Sequence, residues 1–397
     1  MGFKFVVAFA AVIATVVLLE SSDDRRAWLG KALMMISYLV FFLLVRLVPA
    51  LFDASQHYGY ECTGYILTLI VLVACIIVLR KNPSARASSR QVFLALFSVM
   101  LCWFLFEEAF AMVFVQTDGF GYTSAAKAWR ARYWKPLNSL GYRDSEHPAT
   151  DFYRKKTLFV VGDSFVAGYG IKDAKDRFSD VLQDRLGKQW LVANVAQPGW
   201  DTLDELQAVR SHPHNPQMIL LSYFINDIEG ACTKSGYERP PSVDLPSPFI
   251  DAFTQDSRLA GFLYWRCYRR WHAGPLDNKY WSFMKGCYDN SRVWDRHRRE
   301  ISSFIRYANH RRIRLMVVIF PSLTDVEGTR PYTAKVAGFF RENGVPVVDL
   351  TPLFSGRKPS DMIVNNFDAH PNVATHRQVA ETLLPLIRGR EQGKPIR

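Results

Sequence analysis

Ser164 ends an apolar run of strand length, Leu158-Phe159-Val160-Val161-Gly162-Asp163, and small residues follow it before the next helical pattern. A serine lifted off the carboxyl end of a strand can act as a nucleophile if a base takes its proton. His370, in Phe367-Asp368-Ala369-His370-Pro371-Asn372, is the candidate base, and Asp368 is placed to hold its other ring nitrogen. Donors to a developing oxyanion are available from two places. These are backbone N–H groups at the helix start after Ser164 and the side-chain amide of Asn226 in Ser222-Tyr-Phe-Ile-Asn-Asp227, while Gly199 in Asn194-Val-Ala-Gln-Pro-Gly-Trp200 lets backbone approach a substrate closely. Taken singly, Asn226 reads as a turn residue and Gly199 as a plain structural glycine, while Ser164 has a helix cap and His370 a loop residue as competing readings. Jointly they spell acyl transfer through a serine. Asp163 and Asp227 read as acceptors bracing the loops, and His376 as an outward-facing residue of the last helix.

Positioning these residues requires an α/β frame. Strand patterns run over Leu158–Val161, Trp190–Val195, Met218–Phe224, Arg314–Phe320 and Val345–Leu350. Helical patterns lie between them at Lys175–Leu186, Thr202–Ser211, Ser291–His310 and Tyr332–Asn343, with Val373–Ile387 closing the chain. The alternation predicts an open, parallel sheet of flavodoxin-like order flanked by helices, with each candidate residue at a strand's carboxyl end. An insertion at 229–290, dense in Trp, Tyr, Pro and Arg, lies between the third and fourth strands and is far longer than a normal connection; its part between Cys267 and Cys287 has little helix or strand pattern.

The four segments around Ser164, Gly199, Asn226 and His370 resemble the blocks of the SGNH (GDSL) hydrolase superfamily, in that family's chain order. The resemblance implies Ser164 as nucleophile and His370 as general base, with Asp368 orienting it and Ser164, Gly199 and Asn226 forming the oxyanion hole. It implies a carboxylic ester hydrolase or an O-acyltransferase, working without cofactor or metal. Two positions depart from the pattern. Phe224 stands where the third block usually has glycine, and Asp368 lies one residue closer to the histidine than usual, with Phe367 at the usual acidic position. Asn138-Ser-Leu-Gly-Tyr-Arg-Asp144 is similar to a segment preceding this domain in membrane-tethered bacterial relatives.

The 397 residues carry a net charge of +12 and are 49% hydrophobic, with the apolar residues concentrated in the first third. Apolar stretches at Phe5–Leu19, Ala32–Phe52, Thr63–Leu79 and Val92–Gln116 predict about four membrane-spanning helices within 1–117. A connector follows at 118–156, and the hydrolase domain at 157–397. Arg25, Arg26, Lys31, Arg80, Lys81, Arg86 and Arg90 fall in alternate loops, which places those loops in the cytoplasm and the catalytic domain on the periplasmic side of the inner membrane. The basic excess is then a matter of loops and anionic lipid, and nucleic acid is excluded as a partner because no basic-helix or zinc motif accompanies it. The expected partners are membrane lipid and a glycan or other acyl-ester substrate. A multispanning acyltransferase or glycosyltransferase is a further candidate. The acyl group expected is acetyl, on extracytoplasmic polysaccharide or cell-wall glycan. A lipid-directed esterase, either a lysophospholipase or a thioesterase, and a non-catalytic scaffold with a relict hydrolase domain are the alternatives. A Cys267–Cys287 disulfide would close the loop between them, with Cys232 as the competing partner and two free buried thiols as the alternative.

Overall fold

Five apolar runs form one parallel sheet of order β2-β1-β3-β4-β5 in the computed structural model of the protein. The strands are β1 (Lys156–Gly162), β2 (Trp190–Ala196), β3 (Met218–Phe224), β4 (Arg314–Phe320) and β5 (Val347–Asp349). The structure describes residues 106, 109–110, 112–240, 246–247, 250–251, 254–255, 257–271 and 278–391. All of them belong to one of the chain's two units, 90–397. The first three expected spans and most of the fourth lie outside the described residues. No helix among the described residues is long and apolar enough to cross a membrane.

Every residue of β2 and β3 is buried, as is all of β1 except Lys156. Helices cover both faces of such a sheet, so its strands read as continuous apolar runs without alternation. Val161 of β1 stands opposite Val195 of β2 and Leu221 of β3, which brings the carboxyl ends of these three strands to one edge. The strand order reverses between β1 and β3, the crevice where this class of sheet holds its ligands.

The helices follow from local chemistry. Helix α1 (Ser124–Tyr133) and helix α2 (Ala149–Arg154) occupy the connector, and α3 (Ser164–Ala167) and α4 (Phe178–Leu186) follow β1. Helix α5 (Thr202–Ser211) starts at Asp201, whose side chain accepts from the Leu203 and Asp204 N–H groups in a capping box. The insertion is helical, contrary to the expectation of little regular structure between Cys267 and Cys287. It forms α6 (Glu229–Thr233), α7 (Arg258–Trp271) and α8 (Asn278–Asp289) before α9 (Ser291–His310). In α8, Tyr280, Met284, Cys287 and Tyr288 share one buried face, a helical period that the surrounding aromatics obscure.

That face also corrects the disulfide. Cys287 is bonded to Cys232 of α6, with Cα atoms 5.7 Å apart, and Cys267 is free and exposed on α7. Spacing along the chain favoured Cys267, but only the buried side of α8 meets another cysteine at bonding distance. The bridge spans 55 positions, for which the chain-entropy model gives about 4 kcal/mol.

Helix α10 (Val326–Glu342) begins six residues before the expected Tyr332 and carries Pro331 inside it. It is followed by α11 (Thr351–Phe354) and an antiparallel hairpin of β6 (Ile363–Asn365) and β7 (Asp368–Pro371), in which Asn365 faces Asp368. Helix α12 (Val373–Glu391) closes the described chain.

Candidate active site

The nucleophile turn is built by close packing. A Cβ on Gly162 would lie 2.4 Å from Val166 Cγ2 and 3.1 Å from Ser222 Cβ, so only glycine lets β1 run this close to its neighbours before turning. Asp163 then caps α3, its Oδ1 accepting from the Phe165 N–H at 2.9 Å. Ser164 is the first residue of that helix, where the backbone N–H has no acceptor within the helix.

Ser164 Oγ lies 2.8 Å from His370 Nε2, and His370 Nδ1 lies 2.5 Å from Asp368 Oδ1. Asp368 also accepts from the His370 N–H at 3.1 Å, so a two-residue spacing on β7 lets one carboxylate oxygen hold both the backbone and the ring of its histidine. The shortened Asp-x-His block therefore brings Asp368 and His370 together, and the hairpin delivers them to Ser164. Burial lowers the His370 pKa, but the Asp368 charge and hydrogen bond outweigh it, and the net shift is upward from 6.5. Burial raises Asp368, but His370 and the Thr117 hydroxyl draw it below its ordinary value. An ionised Asp368 can only accept, so Nδ1 carries the proton and Nε2 is left to accept from the Ser164 hydroxyl.

The three expected oxyanion donors lie at the ends of neighbouring strands. Gly199 is exposed in the turn after β2 with φ +83°, and Asn226 sits in the 3₁₀ turn Ile225–Ile228 after β3. Burial raises the Asp163 pKa and the nearby Asn226 side chain opposes that rise, which sets the third block beside the nucleophile turn. Asp227 accepts from the Phe224 N–H at 3.3 Å. Asp163 and Asp227 thus brace the loops, as their positions suggested.

Behind these blocks lies a buried acid that the sequence did not mark. Glu205 of α5 is fully buried, and burial followed by the charges of Asp227 and Asp163 pushes its carboxyl well above its ordinary pKa. Helical periodicity puts Glu205 beside Leu206 and Val209, but only the packed structure shows how deep it sits. His376 is a correction. It is 1% exposed, its Nδ1 accepts from the Phe178 N–H at 3.2 Å, and burial with the nearby Arg177 charge lowers its pKa to about 3. It stays neutral because it packs between α12 and α4, where solvent does not reach.

The Asn138–Asp144 segment braces the same turn from the connector side. The Arg143 guanidinium is buried and donates to the Gly168 and Ile171 carbonyls at 2.6 and 2.7 Å. Asp144 Oδ2 accepts from the Asn194 N–H at 2.9 Å, and Asn194 in turn donates to the Val166 carbonyl at 2.8 Å. Further support comes from Thr117, whose hydroxyl donates to Asp368 Oδ2 across 251 positions of sequence. Nothing in the local sequence singles that threonine out. Among the described residues, no cluster of His, Cys, Asp or Glu has the arrangement of a metal site.

Residues 160–378 match the model of the GDSL-like lipase/acylhydrolase family. Solved structures similar to the chain include TesA, 14% identical, covering 58% of this chain and 98% of its own, with a TM-score of 0.36. A psychrotrophic esterase EstA from Pseudoalteromonas sp. is 11% identical over 60% of this chain and 100% of its own, with a TM-score of 0.36. A carbohydrate acetylesterase family member from Sinorhizobium meliloti is 14% identical over 59% and 97%, with a TM-score of 0.33. No curated protein matches the sequence. The structural likenesses are distant, and the assignment rests on the family match. Because that match spans more than half of the chain and encloses both the serine turn and the histidine hairpin, the protein belongs to the GDSL-like lipase/acylhydrolase family and is an esterase-like SGNH hydrolase.

Proposed function

We propose that the protein is a membrane-anchored serine esterase or O-acyltransferase that acts on short acyl esters, acetyl first, of a glycan outside the cytoplasm. The observation that carries the chemistry is the continuous chain of hydrogen bonds from Ser164 through His370 to Asp368. Ser164 Oγ attacks the ester carbonyl while its proton passes to His370 Nε2, and the carbonyl electron pair moves onto oxygen. The N–H groups of Ser164 and Gly199 and the Asn226 amide stabilise that oxygen. Collapse breaks the bond to the alcohol, which takes the proton from Nε2 and leaves an acyl-serine. Water or a sugar hydroxyl then attacks the acyl group by the same route in reverse.

Two features support a site outside the cytoplasm. The basic residues of alternate N-terminal loops favour an outward domain, and the buried Cys232–Cys287 bond suits an oxidising compartment. A C-terminal alkaline phosphatase fusion should be active and a C-terminal fluorescent-protein fusion dark. Purified full-length protein should release acetate from an O-acetylated polysaccharide, or move acetyl onto a sugar acceptor. A bright fluorescent fusion with an inactive phosphatase would place the domain inside and end the glycan reading.

The preference for a short acyl group comes from Phe224. Its ring stacks on Phe165, the residue after the nucleophile, with centroids 4.2 Å apart, and meets Trp281 at 5.9 Å. Bulk therefore fills a place that relatives leave to glycine. Phe224→Ala should raise kcat/KM for a hexanoyl ester relative to an acetyl ester by about tenfold or more, tenfold being the low end of what one methylene is worth in an apolar pocket. The ratio is read on the folded fraction, so the stability lost with the ring does not enter it. An unchanged ratio would show that Phe224 does not bound the acyl pocket.

A further inference from the structure

We propose that Thr117, the last residue before the connector, is a positioning residue for the catalytic acid, so that the junction between the N-terminal region and the connector completes the active site. The inference rests on the serine-hydrolase reading above. Asp368 divides its two oxygens between separate tasks. Oδ1 takes the His370 ring and backbone N–H, and Oδ2 takes the Thr117 hydroxyl. Both Thr117 and Asp368 are 1% exposed, so water does not stand in for either partner. A carboxylate gripped from one side alone is free to turn about its own bond, and the ring it holds turns with it.

The grip extends beyond one hydroxyl. Asn365, opposite Asp368 on the hairpin, donates its amide to the Thr117 carbonyl at 3.1 Å. Gly119 lies so close to the Phe367–Asp368 backbone that a Cβ there would sit 3.3 Å from the Phe367 carbonyl oxygen. Asp118 closes the turn by accepting from the Gly121 and Thr123 N–H groups, each at 2.6 Å. The connector is therefore folded onto the hairpin that bears Asp368 and His370. Thr117 also lies upstream of the residues matched to the family, so a domain cut to those bounds lacks this partner.

The test uses the full-length chain and p-nitrophenyl acetate. Thr117→Val keeps the shape of the side chain and removes the donor. It should lower kcat by about tenfold or more, the lower end of what losing an orienting partner costs, with KM unchanged within about twofold. Thr117→Ser should recover most of the rate. In an Asp368→Asn background, Thr117→Val should change kcat by less than about twofold, because a residue acting through Asp368 has nothing left to position. Wild-type kcat in Thr117→Val overturns the proposal. So does a loss that serine fails to rescue, or one of equal size in the Asp368→Asn background, since either assigns the effect to packing. Should the valine variant not fold, Thr117→Ser against Thr117→Ala decides the same point. Ser164→Ala assayed alongside separates the two readings: residual wild-type activity there removes the triad itself, whereas an inactive Ser164→Ala beside an unaffected Thr117→Val removes only the role of Thr117.

Discussion

Ser164→Ala should lose essentially all ester hydrolysis, roughly 10⁶-fold in kcat by the scale set by a serine hydrolase whose nucleophile is removed. The geometry explains why the loss is so complete. The hydroxyl is 2.8 Å from His370 Nε2 and 3.5 Å from Asp163 Oδ2, so the base is the nearer partner and the aspartate does not compete for the proton. Nothing in the turn depends on the hydroxyl for its shape: α3 is capped by Asp163, and the glycine before it is set by contacts with Val166 and Ser222. One ordinary hydrogen bond is removed, so stability should change by no more than about 1 kcal/mol. The measurement is hydrolysis of a short p-nitrophenyl ester beside a melting curve, with fluorophosphonate labelling of the wild type at Ser164. Retained activity with a normal melt would move the chemistry to another residue.

The sheet and the site were legible in the sequence to different depths. Met218–Phe224 and Arg314–Phe320 carry the same bounds in sequence and structure, because each is a nearly continuous apolar run, buried throughout in the first and from Leu315 onward in the second. Ser164, Asn226 and Gly199 could be placed because each closes such a strand. Asp368 and His370 were placed by their motif alone: strands of three and four residues, paired across one tight turn, show no period to read. Pro331 hid the first turn and a half of α10, since a proline six residues in is normally a helix boundary. Cys287 and His376 were misjudged for one reason. Each lies on a helix whose inward face is set by a partner distant in sequence, α6 for the first and α4 for the second. Thr117 belongs to the same class. Its contact with Asp368 joins the junction before the connector to the last hairpin, and no local pattern encodes a hydrogen bond across 251 positions.

The pH dependence gives the sharpest view of the acid. In the wild type, burial alone would lower the His370 pKa, and the charge of Asp368 reverses that and carries it above 6.5. Because the base works only when neutral, kcat/KM should fall on the acid side with an apparent pKa above 6.5. Asp368→Asn removes the charge and keeps the shape, so burial is left as the main influence and the acid limb should move to lower pH. The plateau should fall as well, by about 10⁴-fold, as when the orienting aspartate of a serine protease becomes asparagine. The two effects share one cause. An asparagine amide can offer its N–H₂ to Nδ1, which puts the ring proton on Nε2 and turns that nitrogen from an acceptor of the Ser164 proton into a donor. A profile of kcat/KM from pH 5 to 9 for both proteins reads limb and plateau together. A drop below about threefold with an unmoved limb would mean that His370 works with Ser164 as a dyad and that its tautomer is held by some group other than Asp368.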